Sequence, residues 1–329
     1  MNGKIALEEH WAIPETVEDS AGFGWGSDWE ELRERLVDVH GRRLKLMDEH
    51  GIETMVLSLN APAVQAIPDR ARAIGVARRA NDALAEECAG HPDRFRALAA
   101  LPMQDPDAAA EELRRCVTDL GFVGALVNGF SQDAAHADGS EPLYYDLAQY
   151  RPFWAEVAAL NVPFYLHPRN PLPQDARIYD GHPWLLGPTW AFAQETAVHA
   201  LRLMASGLFD EQPTLRIVIG HMGEGIPAML WRIDHRNAWV KTPKAYPAHR
   251  RFVDYFTENF YITTSGNFRT QSLIDAILEV GSDRILFSTD WPFENIDHAA
   301  NWFDACPISE NDRLKIGREN ARRLFRLGN

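Results

Sequence analysis

Residues 284–295 read Arg-Ile-Leu-Phe-Ser-Thr-Asp-Trp-Pro-Phe-Glu-Asn, a short apolar run that leads to Asp290 and is followed two residues later by Pro292. A continuous apolar run of this length, Ile285 to Phe287, is typical of a parallel strand that is covered on both faces. Pro292 has no backbone donor and ends any strand pairing. The stretch therefore predicts a buried strand with one carboxylate at its C-terminal end, although aspartate is also a common helix N-cap.

Other strand-like runs also end on side chains that commonly bind metals. These side chains are Glu8, His10, His167 and His221. The carboxyl ends of all strands meet at one face only in a closed barrel, and that face is where barrel enzymes carry their chemistry. The pattern of strand endings therefore predicts a barrel with one shared site.

The whole chain shows a strand–helix rhythm. Strands are predicted at Lys4–Glu9, Thr54–Leu59, Phe95–Leu101, Phe122–Val127, Val162–Leu166, Leu215–Ile219, Phe260–Thr264 and in the run before Asp290. Helices are predicted at about 30–50, 69–90, 150–161, 189–207, 268–280 and 309–327. This rhythm fits an α/β protein of the (β/α)8 TIM-barrel type better than a doubly wound dinucleotide-binding sheet, because no GxGxxG follows the first strand. We expect a single domain over residues 1–329.

Composition excludes several classes of protein. The chain has 329 residues, of which 46% are hydrophobic and 24% are charged, and its formal net charge is −14. An acidic chain without a run of basic residues argues against nucleic acid as a partner. No signal region and no uncharged apolar stretch of about 18 residues occur, so we expect a cytoplasmic protein without a membrane span. The odd number and wide spacing of Cys88, Cys116 and Cys306 argue against a disulfide framework or a thiolate metal site.

The candidate ligands form a mixed nitrogen and oxygen set. Alternation along the first strand puts the side chains of Glu8 and His10 on one side and that of Glu9 on the other. Two imidazoles and two carboxylates suit zinc, manganese or iron better than calcium. Each residue alone is more readily explained as a hydrogen-bonded core residue or a helix cap. Together, at the ends of strands one, five and eight, they predict a site for one divalent metal ion, zinc or manganese, with the ligands Glu8, His10, His167 and Asp290.

His221 has two interpretations. It is either a further metal ligand or, with Glu224 three residues later, an imidazole that a carboxylate orients as a catalytic partner. The residues alone leave both interpretations open.

The motifs around these residues resemble those of a known family. They are Glu8-x-His10, Phe164-Tyr165-Leu166-His167-Pro168, Gly220-His221-Met222-Gly223-Glu224 and Ser288-Thr289-Asp290-Trp291-Pro292. Together they are similar to the metal-dependent decarboxylase branch of the amidohydrolase superfamily. Within that branch the chain most resembles the γ-resorcylate (2,6-dihydroxybenzoate) decarboxylases, through Ala6-Leu7-Glu8-Glu9-His10, Leu57-Ser58-Leu59-Asn60-Ala61-Pro62 and Tyr165-Leu166-His167-Pro168-Arg169-Asn170-Pro171.

This resemblance runs through essentially the whole chain. It implies an amidohydrolase-like (β/α)8 barrel, a single divalent metal, usually a homotetramer, and a reversible, non-oxidative decarboxylation of a hydroxybenzoate. The first strand carries Glu-x-His where the hydrolases of the superfamily carry His-x-His, and no lysine stands in the fifth strand. Both departures disfavour hydrolysis. The alternative remains a metal-dependent hydrolase of a lactone or ester on the same barrel, and a non-catalytic binding barrel is a weaker third hypothesis.

A decarboxylase mechanism assigns roles to the candidate residues. Two carboxylates offset the charge of a divalent ion and make it a poorer generator of hydroxide, whereas a chelating substrate still binds to it. Asp290 is the candidate acid that protonates C1 of the ring. It would carry a proton either because its pKa is raised or because it takes one from the bound substrate. His221 and Glu224 are its catalytic partners. No organic cofactor is needed.

The small aromatic acid substrate needs a binding wall. Its candidates are Phe23, Trp25, Asn128, Phe293 and Arg232, of which Arg232 is equally well explained as a surface charge. The long segment 168–188 and the loop after the fourth strand are expected to meet a neighbouring subunit.

Overall fold

The computed structural model describes residues 1–23, 29–136, 139, 141–239 and 246–328, and of Phe23 only the backbone. In this part of the chain, parallel strands follow one another in a single sheet in the order of the sequence. They are β1 (Lys4–Trp11), β2 (Ile52–Leu59), β3 (Phe95–Ala99), β4 (Gly124–Asn128), β5 (Phe164–His167), β6 (Ile217–Ile219), β7 (Phe260–Thr263) and β8 (Ile285–Leu286). With helices between the strands, the predicted (β/α)8 barrel is confirmed.

Side chains of β1 and of the segment after β8 bring the first and last strands together. The Ser288 hydroxyl donates to the Leu7 carbonyl. The Glu9 carboxylate accepts the backbone N–H of Thr289 at 2.9 Å and its hydroxyl at 2.6 Å. The two ends of the sheet are thus joined next to the predicted metal ligands.

An outer layer of helices covers the strands. The longer helices are α1 (Trp29–Val37), α2 (Arg42–Glu49), α3 (Arg70–Gly90), α4 (Pro106–Thr118), α5 (Arg151–Leu160), α6 (Ala191–Ala205), α8 (Ile226–Ala238), α9 (Phe252–Asn259), α10 (Thr270–Val280) and α11 (Ile296–Ala305). Shorter ones are α7 (Leu208–Glu211), α12 (Glu310–Leu314) and α13 (Asn320–Phe325), with a π-helical turn, Lys315–Glu319, before α13. Short 3-10 turns within Ala176–Thr189 occupy the long segment before α6.

Three predicted elements differ from the observed ones. The helix expected at 30–50 is two helices, because the Asp38 carboxylate accepts the backbone N–H groups of Gly41 and Arg42, both at 2.6 Å, and starts α2 anew. The helix expected at 309–327 is divided by the π-helical turn. The eighth strand pairs over two residues only, so Asp290 lies four residues beyond its end.

Two apolar layers hold the barrel together. The interior layer takes one residue or more from every strand, and its members on the strands are Ile5, Leu7, Val56, Leu98, Leu126, Tyr165, Val218, Tyr261 and Leu286. Leu324 and Phe325 of α13 pack against the same layer. The outer layer lies between strands and helices and includes Trp154 and Phe153 of α5 against Phe164 of β5. Burial of each large side chain of this kind contributes about 1.5–3 kcal/mol.

The sequence predicts a protein without a membrane span, and the helices can be checked for one. None of the helices in the described part of the chain combines the length and the apolar character that a membrane crossing requires.

A buried histidine in α6 makes stability depend on pH. His199 accepts the backbone N–H of Tyr145 at Nε2 over 3.2 Å, and burial, with the charge of Arg202, lowers the pKa of His199 to about 3. A histidine in the unfolded chain titrates near ~6.5. As the pH falls, the unfolded state therefore takes up the proton first. The contribution of neutral His199 to stability is fully present above about pH 6.5 and is lost as the pH falls toward the pKa in the folded state.

We expect His199 alone to lower the free energy of unfolding by about 3 kcal/mol between about pH 7 and about pH 4. Urea unfolding at several pH values measures it. His199→Gln keeps an acceptor for Tyr145 but does not titrate, so its stability should fall by less over the same range. Equal losses in the two proteins would contradict the prediction.

Candidate metal centre and substrate site

The predicted ligands converge at one end of the barrel. Glu8 and His10 lie in β1, His167 is the last residue of β5, and Asp290 follows β8. One ligand atom of each of the four side chains lies within 4.8 Å of the others. This clustering is what a single metal ion requires.

Glu8 reaches this cluster through a bulge in β1. The register pairs Leu7 with Val56 and Glu9 with Leu57, so Glu8 is an extra residue, and its φ is +63°. Ile5 and Leu7 face the barrel interior, and plain alternation would have turned Glu9 inward next. The predicted pairing of Glu8 with His10 on one side is therefore correct, but the explanation by alternation is wrong. The bulge turns Glu9 out to Thr289 instead.

The donor atoms fit a divalent metal. Glu8 Oε1 lies 3.4 Å from His167 Nε2, and His10 Nε2 lies 3.4 Å from Asp290 Oδ1. Both Glu8 Oε1 and His10 Nε2 are buried without a hydrogen-bond partner in the described residues. Unpartnered buried polar atoms are costly, and a cation between two carboxylates and two imidazoles satisfies them.

Two glycines leave room for these side chains. A Cβ at Gly220 would lie 2.9 Å from Glu8 Oε1 and 3.0 Å from Oε2. A Cβ at Gly266, whose φ is +58°, would lie 2.9 Å from His221 Cδ2 and 3.1 Å from Asp290 Oδ2. A larger residue would press on the Glu8 carboxylate at position 220, and on His221 and then Asp290 at position 266.

Hydroxyl groups from β5 and β7 hold the other oxygen of Glu8. The Tyr165 hydroxyl donates to Glu8 Oε2, and Thr263 Oγ1 donates to the same oxygen at 3.1 Å. Thr263 Oγ1 also lies 2.8 Å from Ser265 Oγ, which accepts the backbone N–H of His221 at 3.1 Å. Burial, and then the charge of Glu8, raise the pKa of Tyr165 well above its ordinary value, so the phenol keeps its proton.

A second buried group supports His10 and the segment before Asp290. Arg43 is fully buried and donates through Nη2 to the His10 carbonyl at 2.6 Å. Burial raises the pKa of Glu9 to about 8, although its hydrogen bonds from Thr289 oppose the shift. Sequence reasoning assigned no role to Tyr165, Thr263 or Arg43. Their polar side chains at buried positions were the available signal, and only tertiary contacts show what they hold.

His221 stands beside the cluster as part of a dyad. Its Nδ1 lies 2.7 Å from Glu224 Oε1, and its Nε2 lies 3.6 Å from Glu8 Oε1 and 3.7 Å from Asp290 Oδ2. Although burial opposes the charged form, Glu224 and then Glu8 hold the pKa of His221 well above its ordinary value. His221 is not among the four clustered ligands, so the geometry favours the dyad interpretation over the ligand interpretation.

The two remaining ligands, His167 and Asp290, are held in different charge states. Burial, with the neighbouring imidazoles of His10 and His221, lowers the pKa of His167 well below its ordinary value, which keeps it neutral. Burial works against the ionised form of Asp290, but the nearby imidazoles of His10 and His221 hold its pKa below the ordinary value. The direction of this shift favours the substrate, the other source considered from the sequence, as the origin of the proton.

A cavity of about 710 Å³ opens onto this cluster. Its polar floor consists of His221, Glu224, Asp290 and Glu294. Its apolar wall comes mainly from α6 and α8 and includes Phe192, Ala197, Leu201, Ile226, Met229 and Ile233. Burial, and then the charge of Asp290, raise the pKa of Glu294 to about 6. These wall residues were not found from the sequence, because helix positions that face a cavity look like ordinary core positions.

The predicted substrate-binding residues are placed unequally. Phe293 lies beside the cluster, with its ring centroid 5.4 Å from that of His10. Asn128 ends β4, but its Nδ2 donates to the Asn60 carbonyl at 2.9 Å and ties two strand ends together. Arg232 is exposed on α8 and does not line the described cavity. Trp25 and the side chain of Phe23 lie outside the described residues.

Comparisons with known proteins agree with this geometry. A family model described as amidohydrolase matches residues 25–327. The γ-resorcylate decarboxylase of Rhodococcus jostii (strain RHA1) is 79% identical, with 99% of each chain covered. A crystal structure of 2,6-dihydroxybenzoate decarboxylase complexed with 2,6-dihydroxybenzoate is 78% identical, with a TM-score of 0.96 over 99% of this chain and 100% of that chain.

A third relative holds a metal. The dihydroxybenzoic acid decarboxylase of Polaromonas sp. JS666, with bound manganese and the inhibitor 2-nitroresorcinol, is 73% identical, with a TM-score of 0.97 over 99% of this chain and 98% of that chain. Identity of this degree over the full length of the relatives confirms the resemblance found in the motifs. The chain therefore belongs to the amidohydrolase family and, within it, to the γ-resorcylate decarboxylases.

Proposed function

We propose that this protein catalyses the reversible, non-oxidative decarboxylation of 2,6-dihydroxybenzoate to resorcinol and CO2. The observation that carries the proposal is the cluster of two carboxylates and two imidazoles at the mouth of a barrel that belongs to this family. Glu8, His10, His167 and Asp290 would hold one divalent ion, manganese or zinc. The reaction uses no organic cofactor.

The ion, when bound, would supply a positive charge to which the carboxylate and an ortho oxygen of the substrate bind together. The chain's own residues do the rest. Asp290 takes up the proton of the ortho hydroxyl group and delivers it to C1. The C1–carboxylate bond then breaks, CO2 leaves, and the electron pair of that bond restores the aromatic ring as the phenolate. A proton from solvent returns to the ortho oxygen and gives resorcinol. His221, charged and oriented by Glu224, contributes a positive charge beside the substrate's anionic groups.

The other predicted contacts complete the proposal. Phe23, Trp25, Asn128 and Phe293 wall the ring, whereas Arg232, exposed on α8 and outside the cavity lining, fits the alternative role of a surface charge. Glu294 adds a carboxyl group to the cavity floor. The protein is proposed to work in the cytoplasm on this small aromatic acid, without nucleic-acid or membrane partners.

One assay separates the proposal from the alternative of lactone or ester hydrolysis. We expect the manganese-loaded protein to convert 2,6-dihydroxybenzoate to resorcinol with equimolar CO2, and to show no hydrolysis of a lactone panel above the metal-free background. Chromatography of the ring product and a CO2 electrode measure the two products. Hydrolysis of a lactone without formation of resorcinol would overturn the proposed function.

We also propose a homotetramer, as the resemblance implies. Large apolar side chains are exposed on the segment before α6, on α8 and directly after it, among them Ile178 at 75%, Trp231 at 71% and Trp239 at 66%. Contiguous exposed apolar residues mark interaction surfaces, and Trp231 and Trp239 both contact His235, with ring centroids at 4.6 Å and 5.8 Å. We expect light scattering at micromolar concentration to give about four times the chain mass, and Trp231→Glu to shift the distribution to smaller species. A native monomer under these conditions would contradict the prediction.

A further inference from the structure

The two carboxylate oxygens of Glu8 have different surroundings. Oε2 accepts hydrogen bonds from the Tyr165 hydroxyl and from Thr263 Oγ1. Oε1 has no hydrogen-bond partner in the described residues and lies 3.4 Å from His167 Nε2. One oxygen is therefore occupied by the protein, and the other faces the remaining metal-binding side chains.

Tyr165 is an unusual member of the layer in which it lies. Apart from Tyr261 of β7, the strand residues of the barrel interior are aliphatic. Tyr165 is only 1% exposed, so water does not satisfy its hydroxyl group. The hydroxyl is instead bonded to Glu8 and lies 3.0 Å from Thr263 Oγ1. A buried hydroxyl is tolerated when it has such partners, and the partners here include a predicted metal ligand.

Thr263 is fixed in turn from the other side. Its hydroxyl lies 2.8 Å from that of Ser265, which accepts the backbone N–H of His221. The chain of hydroxyl groups thus runs from β5 through β7 to the loop of the dyad. Every member is buried apart from His221, so the orientation of Glu8 is set by the fold and not by solvent.

We propose that Tyr165 and Thr263 are positioning residues that restrict Glu8 to a single metal-binding oxygen. The consequence concerns the space left for substrate. Manganese prefers six ligand atoms in an octahedral arrangement. Four side chains that bind through one atom each leave about two positions, which is the number that a chelating substrate occupies. If Glu8 were free to bind the ion through both oxygens, its second oxygen would occupy one of the two positions left for the substrate. The inference rests on the proposed function for the identity of that substrate, but not for the behaviour of Glu8.

The test counts exchangeable water on the ion. Manganese is loaded into the native protein and into Tyr165→Phe, Thr263→Val and Tyr261→Phe, and occupancy is measured by elemental analysis. Tyr261→Phe is the matched control, because it removes a hydroxyl from the same interior layer without touching Glu8. Water proton relaxation then gives the number of water molecules that exchange on manganese.

We expect about two exchangeable waters in the native protein and in Tyr261→Phe, and about one in Tyr165→Phe at equal occupancy. Thr263→Val should change in the same direction, and it tests the inference independently should Tyr165→Phe fail to fold. The KM for 2,6-dihydroxybenzoate should rise by at least about tenfold in Tyr165→Phe and stay near native in Tyr261→Phe.

The inference is overturned by two exchangeable waters and an unchanged KM in both Tyr165→Phe and Thr263→Val at full occupancy. Failure of the proposed function looks different. In that case the native protein forms no resorcinol, whereas the difference in exchangeable water between Tyr165→Phe and Tyr261→Phe persists.

Discussion

Replacement of Asp290 by asparagine is expected to lower decarboxylation of 2,6-dihydroxybenzoate by at least about 10³-fold. Asparagine keeps the shape and one oxygen of the side chain, but it cannot take up a proton and deliver it to C1. The imidazoles of His10 and His221, which now favour ionised Asp290, would face a neutral group. We therefore expect Asp290→Asn to bind manganese more weakly and still to bind substrate, so that the loss appears mainly in kcat.

The measurement is the turnover rate at full manganese occupancy, with elemental analysis on the same sample. Asp297→Asn is a suitable control, because Asp297 lies seven residues further on, in α11, where it is exposed and paired with His50. In deuterated water the native protein should also place deuterium on the carbon that carried the carboxylate. A rate for Asp290→Asn within about tenfold of native would assign the proton transfer to another group, and His221 is the first to test.

His167→Ala is expected to reduce bound metal to well below one ion per chain and to abolish activity with it. His167 is buried and its pKa is held well below the ordinary value, so its imidazole is neutral and ready to bind a cation. Alanine removes one of two nitrogen donors and leaves Glu8 Oε1 without its neighbour at 3.4 Å. Removal of metal from the native protein by a chelator should likewise abolish activity, and added manganese should restore it.

Elemental analysis after gel filtration decides the occupancy. His298→Ala removes an exposed imidazole of α11 and should keep native metal content. Circular dichroism of His167→Ala distinguishes loss of metal from loss of fold. Full metal occupancy and native turnover in His167→Ala would contradict the assignment of His167, at the end of β5, to the metal site.

The sequence by itself determined the strand order and the side chains at the strand ends. A buried parallel strand is a continuous apolar run, and a polar residue at its end stands out against that run, as His167 does after Phe164-Tyr165-Leu166. Because the carboxyl ends of barrel strands share one face, such endings predicted the cluster of Glu8, His10, His167 and Asp290 without distances. Local capping was less visible, and the break that Asp38 makes between α1 and α2 was therefore missed.

Only the tertiary structure decided how these residues are held. Alternation along β1 would have turned Glu9 into the barrel after Ile5 and Leu7, and the bulge at Glu8 reverses this. A bulge is set by pairing with neighbouring strands, which a single run of residues does not encode. The same holds for Tyr165, which resembles a core aromatic residue until Glu8, distant by 157 positions along the chain, is placed against its hydroxyl. Contacts between residues so far apart in the sequence form only when the barrel closes. The orientation of each ligand is therefore set by the whole fold and not by its own strand.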